Sequence, residues 1–464
     1  MQPSIVVGAL LAGSVLASGA RAEVHFVPAE FATIQDALAA SADFDVILVS
    51  PGTWTGPLDI QGLGVEIRAV EGSAVTILDA QGAAVGVHAG APGDDSIAHV
   101  IRFTMTGAVD GAVADGDGTL VLDQCVVRDN SGVGARGPID AYSCTFSGNG
   151  SHGLEDFDAA TGCTFEDNGG WGALALGAVI HNPQMDFCTF LGNGLGGARL
   201  SVSGPGPAWP ADLRVERCTF VGDKLQLAAL TSGGTATSTL RNVTLLGGTV
   251  KVLQGSLDVS NCILLSPTPI TDLSDGDVSV TWSDLPGAWL PGTGNIDADP
   301  LFTDAAAGDW SLAPGSPCIN TGNPALIDPD TSTSDMGAFT YAPWTILEGG
   351  IAPGGSLPSL LGGMGPLIAG EPMQLKVWPL QPAGVWLVVS TTELDLPFKG
   401  GVLVPAVDAV FGPLFPSFPQ DQLVAAYWPS GLPTGFSFVA QAWWPNALMP
   451  QGWEASKGLR GVQP

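Results

Sequence analysis

The chain has 464 residues, of which 64 are glycine and 36 are proline, and only 13% are charged. Acidic residues outnumber basic ones by 45 to 15, so the formal net charge is −30. This balance excludes a general binder of nucleic acids or anionic membranes, because no basic stripe exists to neutralise phosphate groups. It permits cations, neutral sugars or basic partners. The length predicts a long repeat body plus one further domain, and the glycine and proline content argues against a helical protein.

The first residues predict export. Residues 5–18 are an apolar run that is too short to span a bilayer, and Ala20-Arg-Ala22 is a small-x-small cleavage pattern. We therefore expect residues 1–22 to be a secretory signal peptide, cut before Glu23. No later stretch of about 20 apolar residues follows, so we expect no membrane span, and a protein that is secreted or held at the cell surface.

The next segment predicts a cap. Residues 30–40 place apolar side chains on one helical face, with Thr33 as a candidate N-cap, and residues 45–54 read as a β-branched strand ended by Pro-Gly. A short helix before a strand suits the blunt end of a solenoid, since it covers strand edges that would otherwise recruit other chains.

Four copies of one short phrase organise the middle of the chain. Each begins with Cys and carries Asn five residues later. The copies are Cys125-Val-Val-Arg-Asp-Asn130, Cys144-Thr-Phe-Ser-Gly-Asn149, Cys163-Thr-Phe-Glu-Asp-Asn168 and Cys188-Thr-Phe-Leu-Gly-Asn193. Strand-like runs between residues 58 and 122 precede them. Self-similarity at a period near 20 residues predicts a solenoid.

The period of a strand then assigns the repeated residues. In each phrase the Cys and the Phe should point inward, and coils should stack about 4.8 Å apart. The cysteines expected in one inward column of free thiols are Cys125, Cys144, Cys163, Cys188, Cys218 and Cys262. Disulfides between neighbouring coils remain compatible with that spacing. The Asn falls at a turn, where it tolerates left-handed backbone, so we expect a structural asparagine ladder.

A family resemblance supports this fold. The words at residues 31–38 and 46–54, together with the Cys–Asn repeats, resemble right-handed parallel β-helix proteins of the pectin-lyase-like superfamily, of the kind secreted by planctomycete-like bacteria. The resemblance covers roughly residues 24–340. It implies an all-β protein, with a right-handed parallel β-helix over residues 23–340. That superfamily holds lyases, esterases, hydrolases, adhesins and inert surface proteins, so the fold alone implies no activity.

Register also predicts an outer strip. Eleven residues after each Cys lie Arg136, Glu155, Leu174 and Arg199, which should face outward one coil apart, beside glycines that we expect to line the surface. Arg136, Glu155 and Arg199 are the candidate catalytic residues. The competing interpretation is that Arg136 and Glu155 form a cross-coil ion pair of small energetic value.

Further candidates for ligand binding lie near this strip. His152, Asp156 and Asp158 follow the second phrase closely. Residues 201–210 form an insert whose Trp209 offers a ring that stacks on a sugar, although we favour packing of the loop on the coil.

One segment offers carboxylates for a cation. Asp328, Asp330 and Asp335 are spaced to wrap Ca²⁺, although the glycine and the downstream glutamate of an EF-hand are lacking. Such Asp/Thr/Ser segments otherwise form capped turns. Calcium is therefore the one cofactor considered, and no other is predicted.

The last third of the chain changes character. A closing segment of the kind found in secreted bacterial β-helix proteins is suggested by the resemblance of residues 294–302, 310–320 and 335–339. Residues 341–370 are predicted to be a Gly/Pro-rich linker. Residues 371–464 are predicted to form a small C-terminal β-sandwich-like domain. Trp443 and Trp444 would alternate across a strand, which offers one exposed ring for a glycan, although packing is the use that we favour.

These observations leave two functional hypotheses. The characteristic catalytic words of the superfamily's lyases, hydrolases and esterases are absent from this chain. The first hypothesis is therefore a non-catalytic β-helix protein that binds polysaccharide or another envelope component. The alternative is a carbohydrate-active enzyme, similar to a polysaccharide lyase, that acts on an acidic polysaccharide. The sequence indicates no oligomeric state.

Overall fold

The computed structural model describes residues 22–90, 93, 95–116, 118–176, 183–204, 213–231, 236–274, 276–287, 291–352, 358–378, 384–415 and 422–464. The predicted signal peptide, apart from its last residue, and Trp209 lie outside the described residues. No helix among the described residues is long and apolar enough to cross a membrane.

Three parallel sheets form the body of the described chain. The first sheet contains Val24–Val27, Val46–Val49, Glu66–Ala69, Ile97–Ile101, Thr119–Asp123, Ile139–Tyr142, Ala159–Thr161, Gln184–Asp186, Leu213–Glu216, Thr237–Arg241, Ser256–Ser260 and Val278–Thr281. The second sheet contains Gly52–Thr55, Thr76–Asp79, Thr104–Thr106, Val126–Arg128, Thr145–Ser147, Thr164–Glu166, Thr189–Leu191, Thr219–Val221, Thr244–Leu246 and Ile263–Leu265. The third sheet contains Leu58–Asp59, Val85–Ala89, Asp110–Ala114, Ala135–Arg136, Leu154–Glu155, Trp171–Ala175, Gly196–Gly204, Leu225–Thr231, Val250–Gln254 and Ile270–Asp272. Successive coils pair strand on strand in parallel, so the predicted all-β parallel β-helix is confirmed.

The predicted cap is also confirmed. One α-helix, Ile34–Ala40, begins after Thr33, whose Oγ1 accepts a hydrogen bond from the Asp36 amide at 3.0 Å. Ile34 and Leu38 are buried against the first coils. The helix therefore caps the open end of the core, as its apolar face indicates.

The cysteine column has the predicted stacking. All seven cysteines are buried free thiols, which decides between the thiol and disulfide alternatives. The Cys125 amide lies 3.4 Å from Cys144 Sγ, and the Val243 amide lies 3.4 Å from Cys262 Sγ. The coil between those of Cys218 and Cys262 has no cysteine, and Val243 occupies the equivalent position in the column.

The asparagine ladder is continuous. Asn149 Nδ2 donates to Val127 O at 3.1 Å and to Asn168 Oδ1 at 2.9 Å, and Asn168 Nδ2 donates to Asn193 Oδ1 at 2.9 Å. The ladder ends on a carboxylate, because Asn193 Nδ2 donates to Asp223 Oδ2 at 2.8 Å. Burial raises the pKa of Asp223, partly opposed by these hydrogen bonds from Asn193.

The left-handed corner lies one residue earlier than predicted. The residues with positive φ are those that precede each Asn, namely Asp129, Gly148, Asp167 and Gly192. Asp and Gly are the residue types that adopt this conformation readily. The Asn itself is free to hold the next coil through its side chain.

The glycines beside the outer strip are buried, and the prediction of a glycine-lined surface is wrong. A Cβ on Gly153 would lie 2.6 Å from Gly172 O and 3.0 Å from both Asn168 Nδ2 and Phe165 Cδ1. The glycines therefore make room for the ladder and for stacked rings. Adjacent rings in that stack are 5.2, 4.8 and 4.5 Å apart between centroids, and it consists of Phe146, Phe165, Phe190 and Phe220.

The closing segment covers the last coils. Its strands Phe302–Asp304 and Asp309–Leu312 pair antiparallel. The buried side chains of this cluster are Ile263, Leu312, Cys318, Ile319 and Met336. The Gly337 and Ala338 amides donate to Asn261 O at 2.7 Å and to Thr244 Oγ1 at 2.8 Å. Outward side chains of the second sheet are thereby removed from solvent at this end.

Antiparallel sheets form the C-terminal region. The larger sheet contains Trp344–Leu347, Gly458–Val462, Ser437–Pro445, Val385–Ser390, Ala409–Leu414 and Trp453–Ala455. The smaller sheet contains Leu360–Met364, Pro372–Trp378 and Gln422–Tyr427, and a separate hairpin joins Glu393–Phe398 to Gly401–Pro405. The two sheets share one buried core, as expected of a sandwich.

Two details of this region bear on the sequence predictions. Two of its strands, Trp344–Leu347 and Leu360–Met364, lie within the predicted linker 341–370, because the flanking Gly and Pro residues end strands here without separating domains. Trp443 and Trp444 alternate across their strand, and both are buried because further side chains cover the outer face as well, as the packing interpretation expects.

Candidate functional site

The outer strip of the third sheet has the predicted register. Arg136 pairs with Glu155, Glu155 with Leu174 and Leu174 with Arg199 on consecutive coils. Leu174 is nevertheless only 6% exposed, so an apolar side chain separates Glu155 from Arg199. The three predicted catalytic residues thus share a strip but do not converge on one point.

Arg136 has a different ionic partner from the one considered. Its Nε lies 2.9 Å from Asp110 Oδ2. The cross-coil ion pair therefore joins Arg136 to the preceding coil, and the interpretation of an Arg136–Glu155 pair is wrong. The catalytic role of Arg136, Glu155 and Arg199 stays a prediction.

The predicted ligand-binding residues nearby are held by backbone. His152 Nδ1 accepts the Trp171 amide at 2.9 Å, and burial lowers the pKa of His152, with Glu155 opposing it. Asp156 is exposed, and its Oδ1 accepts the Leu176 amide at 3.2 Å. Asp158 is half-buried. Their binding roles stay predictions.

The same strip carries a bridged histidine near its start, which sequence reasoning missed. His88 Nδ1 lies 3.1 Å from Asp59 Oδ1, and its Nε2 lies 3.1 Å from Asp115 Oδ2. Burial alone would lower the pKa of His88, but the two carboxylates outweigh it and the net pKa is raised. These coils lack the Cys–Asn phrase, so the sequence offered no register for them.

The predicted calcium ligands are engaged by backbone amides. Asp335 accepts the Asn320 amide at 2.7 Å and the Tyr341 amide at 2.5 Å, while Asp328 Oδ2 accepts the Asp335 amide at 2.8 Å. Asp330 binds Ser332 in a capped turn. Within the described ranges, no three His, Cys, Asp or Glu side chains are grouped so as to hold a metal ion. The calcium site gains no support from this geometry and stays a prediction.

A second outer face carries the densest chemistry, and sequence reasoning missed it. On the first sheet, one outward column runs in register through Tyr142, Thr161, Asp186, Glu216 and Arg241. These residues stand two positions before the Cys of each phrase or its equivalent, the signal from which they could have been found.

The adjoining corner residues complete this face. Phe187 and Arg217 stand one position before the Cys and have φ of 55° and 48°. The Arg217 guanidinium lies 4.3 Å over the Phe187 ring and is ion-paired with Asp186. On the next coil, Arg241 Nη1 lies 3.5 Å from Glu216 Oε1. Cations and carboxylates of this face therefore neutralise one another.

Two exposed rings flank a shelf of small residues on this face. Tyr142 is 39% exposed and Phe187 is 54% exposed. The coil between them presents only Thr161 and Gly162 at the equivalent positions. Because coils stack about 4.8 Å apart, the two rings lie roughly 10 Å apart along the helix axis. Burial and Asp140 raise the pKa of Tyr142, so its hydroxyl remains a donor at neutral pH. We call Tyr142, Thr161, Gly162, Asp186, Phe187 and Arg217 the ring shelf.

Comparisons with known proteins add little. No family model matches the chain, and no curated protein matches it. Among solved structures, a pectin methylesterase from carrot matches with 11% identity and a TM-score of 0.26, over 63% of this chain and 95% of that chain. A likeness this distant carries no argument about function. The parallel β-helix is established by the strand pairing described above.

Proposed function

We propose that this protein is a secreted or cell-surface β-helix protein that binds a neutral polysaccharide on the ring shelf. The observation that supports this most is the pair of exposed rings, Tyr142 and Phe187, on one outer face of a rigid coil. Aromatic rings present a flat apolar surface with a polar edge, which suits the apolar face of a sugar and its hydroxyls. The small residues between them leave room for a chain lying along the axis.

Charge favours a neutral ligand over an acidic one. The whole protein carries −30, and the Arg217 and Asp186 side chains on the shelf are already paired. An anionic polymer would meet long-range repulsion within the Debye length, about 8 Å at physiological salt, without an unengaged cation on the shelf to offset it. Hydroxyl groups need only donors and acceptors, which the ion pairs and Thr161 supply.

The same geometry favours binding over catalysis. Proton abstraction needs an acid–base pair within hydrogen-bond reach of one substrate atom. On the third sheet, Leu174 separates Glu155 from Arg199, and Asp110 engages Arg136. The enzymatic alternative is therefore kept as an outcome of the test.

Affinity electrophoresis tests the proposal. The protein is run through gels that contain galactomannan, xyloglucan or polygalacturonate. We expect retardation in at least one neutral gel and none in polygalacturonate. Phe187→Ala should weaken binding about three- to tenfold, the worth of one aromatic contact. Phe44→Ala is the matched control, since Phe44 is 79% exposed in the N-terminal cap.

Two results would overturn the proposal. One is equal mobility of the wild type in all neutral gels and in a gel without polymer. The other is the formation of unsaturated product, followed by its absorbance, when the protein is incubated with polygalacturonate and Ca²⁺, because this would make the protein a lyase.

A further inference from the structure

The C-terminal region contains a concave aromatic site that the polysaccharide proposal does not use. A cavity of about 240 Å³ opens on the outer face of the larger sheet, beside the hairpin Glu393–Phe398 and Gly401–Pro405. Its walls come from three tryptophans, one phenylalanine and aliphatic side chains. The lining includes Trp386, Phe398, Lys399, Val410, Trp443 and Trp453.

The rings of this cavity are held in fixed mutual geometry. Trp386 and Trp453 meet edge-on with centroids 5.4 Å apart, and Phe398 and Trp443 do so at 5.2 Å. Trp443 is only 3% exposed and anchors the floor. Edge-to-face contacts of this kind fix the positions of the rings, so the cavity exists before any ligand arrives.

One cation stands at the rim. Lys399 and Gly400 form the two-residue turn of the hairpin, with φ of 53° and 87°. This turn places Lys399 Nζ 5.6 Å from the Trp453 ring centroid and 5.9 Å from that of Phe398. In the part of the chain that the structure describes, no carboxylate lies within ion-pair distance of Lys399.

The rim is otherwise apolar and open to solvent. Phe398, Val407 and Val410 are 44%, 59% and 52% exposed. A group that entered the cavity would remove these side chains from water, which is the usual driving force for binding at such sites. The ligand must therefore combine an apolar body with one negative charge.

We propose that this cavity binds a free amphiphilic carboxylate of the fatty-acid class. The alkyl chain lies against Trp386, Trp443 and Trp453, and the carboxylate pairs with Lys399. The charge of Lys399 at the rim favours an anion, and the small volume of the cavity favours a single alkyl chain over a membrane surface. This inference is independent of the ring shelf, because it rests on different residues of a different region.

Isothermal titration calorimetry with decanoate, below its micelle concentration, tests the proposal on the full chain. Saturable binding to about one site is expected. Lys399→Gln should weaken decanoate binding roughly two- to fivefold, as expected for one exposed ion pair. The same substitution should leave the affinity for decanol unchanged, and Lys399→Arg should restore decanoate binding.

A cavity-filling variant separates this site from non-specific uptake. Val410→Trp should abolish binding, because the larger side chain fills the cavity from an exposed edge strand. Val70→Trp is the matched control, since Val70 is 53% exposed on the β-helix, and it should bind like the wild type. The proposal is overturned if decanoate shows no saturable binding, if Lys399→Gln weakens decanoate and decanol equally, or if only anionic vesicles bind.

Discussion

The regular coils and the C-terminal sheets bury their polar groups in opposite ways. In the coils, like residues satisfy one another, because Asn149 donates to Asn168 and Asn168 to Asn193, each one coil on. In the C-terminal region, the buried Gln441 side chain binds Val402 O, the Val404 amide and Ser456 O, which belong to two different segments and not to a repeated position. At a repeated position the partner is therefore the equivalent residue of the next coil. At a position that occurs once, the partner depends on whichever segments pack around it. Contacts between equivalent residues can be predicted from the sequence, whereas contacts between unlike residues cannot.

The largest effect on stability should come from a substitution in the stack of phenylalanine rings. Phe165→Ala removes the ring that stacks on Phe146 and Phe190, and the unfolding free energy of the coils should fall by about 3–5 kcal/mol. Calorimetry should assign the loss to the coil transition. Phe44→Ala, in which an exposed ring is removed, should change it by less than about 0.5 kcal/mol. Equal effects of the two substitutions would contradict the stacked core.

The closing segment, where unlike residues replace the ladder, should make stability depend on pH. Burial raises the pKa of Asp335 from 3.8 to about 7, against the hydrogen bonds from Asn320 and Tyr341. Because the folded state holds this proton more tightly than the unfolded chain, the stabilisation is complete below pH 3.8 and is lost as the pH rises through 7. Three pKa units correspond to at most about 4 kcal/mol.

Urea unfolding at pH 5 and pH 8.5 measures the contribution of Asp335 to the unfolding free energy. The unfolding free energy should be lower at pH 8.5. His88, whose pKa is also raised, contributes in the same direction but less, since it is partly exposed. Asp335→Asn should flatten the profile. A free energy that rises with pH would refute the assignment.

The asparagine ladder should contribute less to the unfolding free energy than the ring stack, and it should tolerate a further asparagine at its end. Asn149→Ala leaves the Asn130 amide and the Val127 carbonyl without their partners, at a cost of about 3 kcal/mol. Asp223→Asn instead continues the ladder with a neutral residue, and at pH 7 it should stabilise the coil by about 1 kcal/mol, since it relieves a buried charge. Chemical denaturation of both variants measures these changes. Destabilisation by Asp223→Asn would show that the carboxylate, and not the ladder, holds this coil.

The smallest effect should come from the outer strip. Arg136→Gln removes an ion pair with Asp110 whose arginine side chain is 43% exposed, so the unfolding free energy should fall by less than about 1 kcal/mol. The same denaturation experiment checks it. A loss above about 2 kcal/mol would mean that this pair stabilises the coil as a buried interaction does.

How far the sequence predicted the molecule follows from the same contrast. The period disclosed the Cys column, the ladder and the strand register that sets Arg136 beside Glu155, because each is fixed by equivalent positions. It did not disclose the Arg217–Asp186 pair, which joins unlike residues of neighbouring coils at a corner outside the quoted phrase. It also left open whether one tryptophan of the pair 443–444 is exposed, since only tertiary packing shows that a hairpin covers the outer face.

A double-mutant cycle on Tyr142 and Phe187 tests most directly whether the ring shelf binds a neutral polysaccharide. Dissociation constants for the retained neutral polysaccharide are measured for the wild type, Tyr142→Ala, Phe187→Ala and the double variant. Each single substitution should weaken binding about three- to tenfold, and the double variant should lose at least as much as the more damaging of them. Unchanged affinity in the double variant would contradict the proposal that this face of the β-helix binds the ligand.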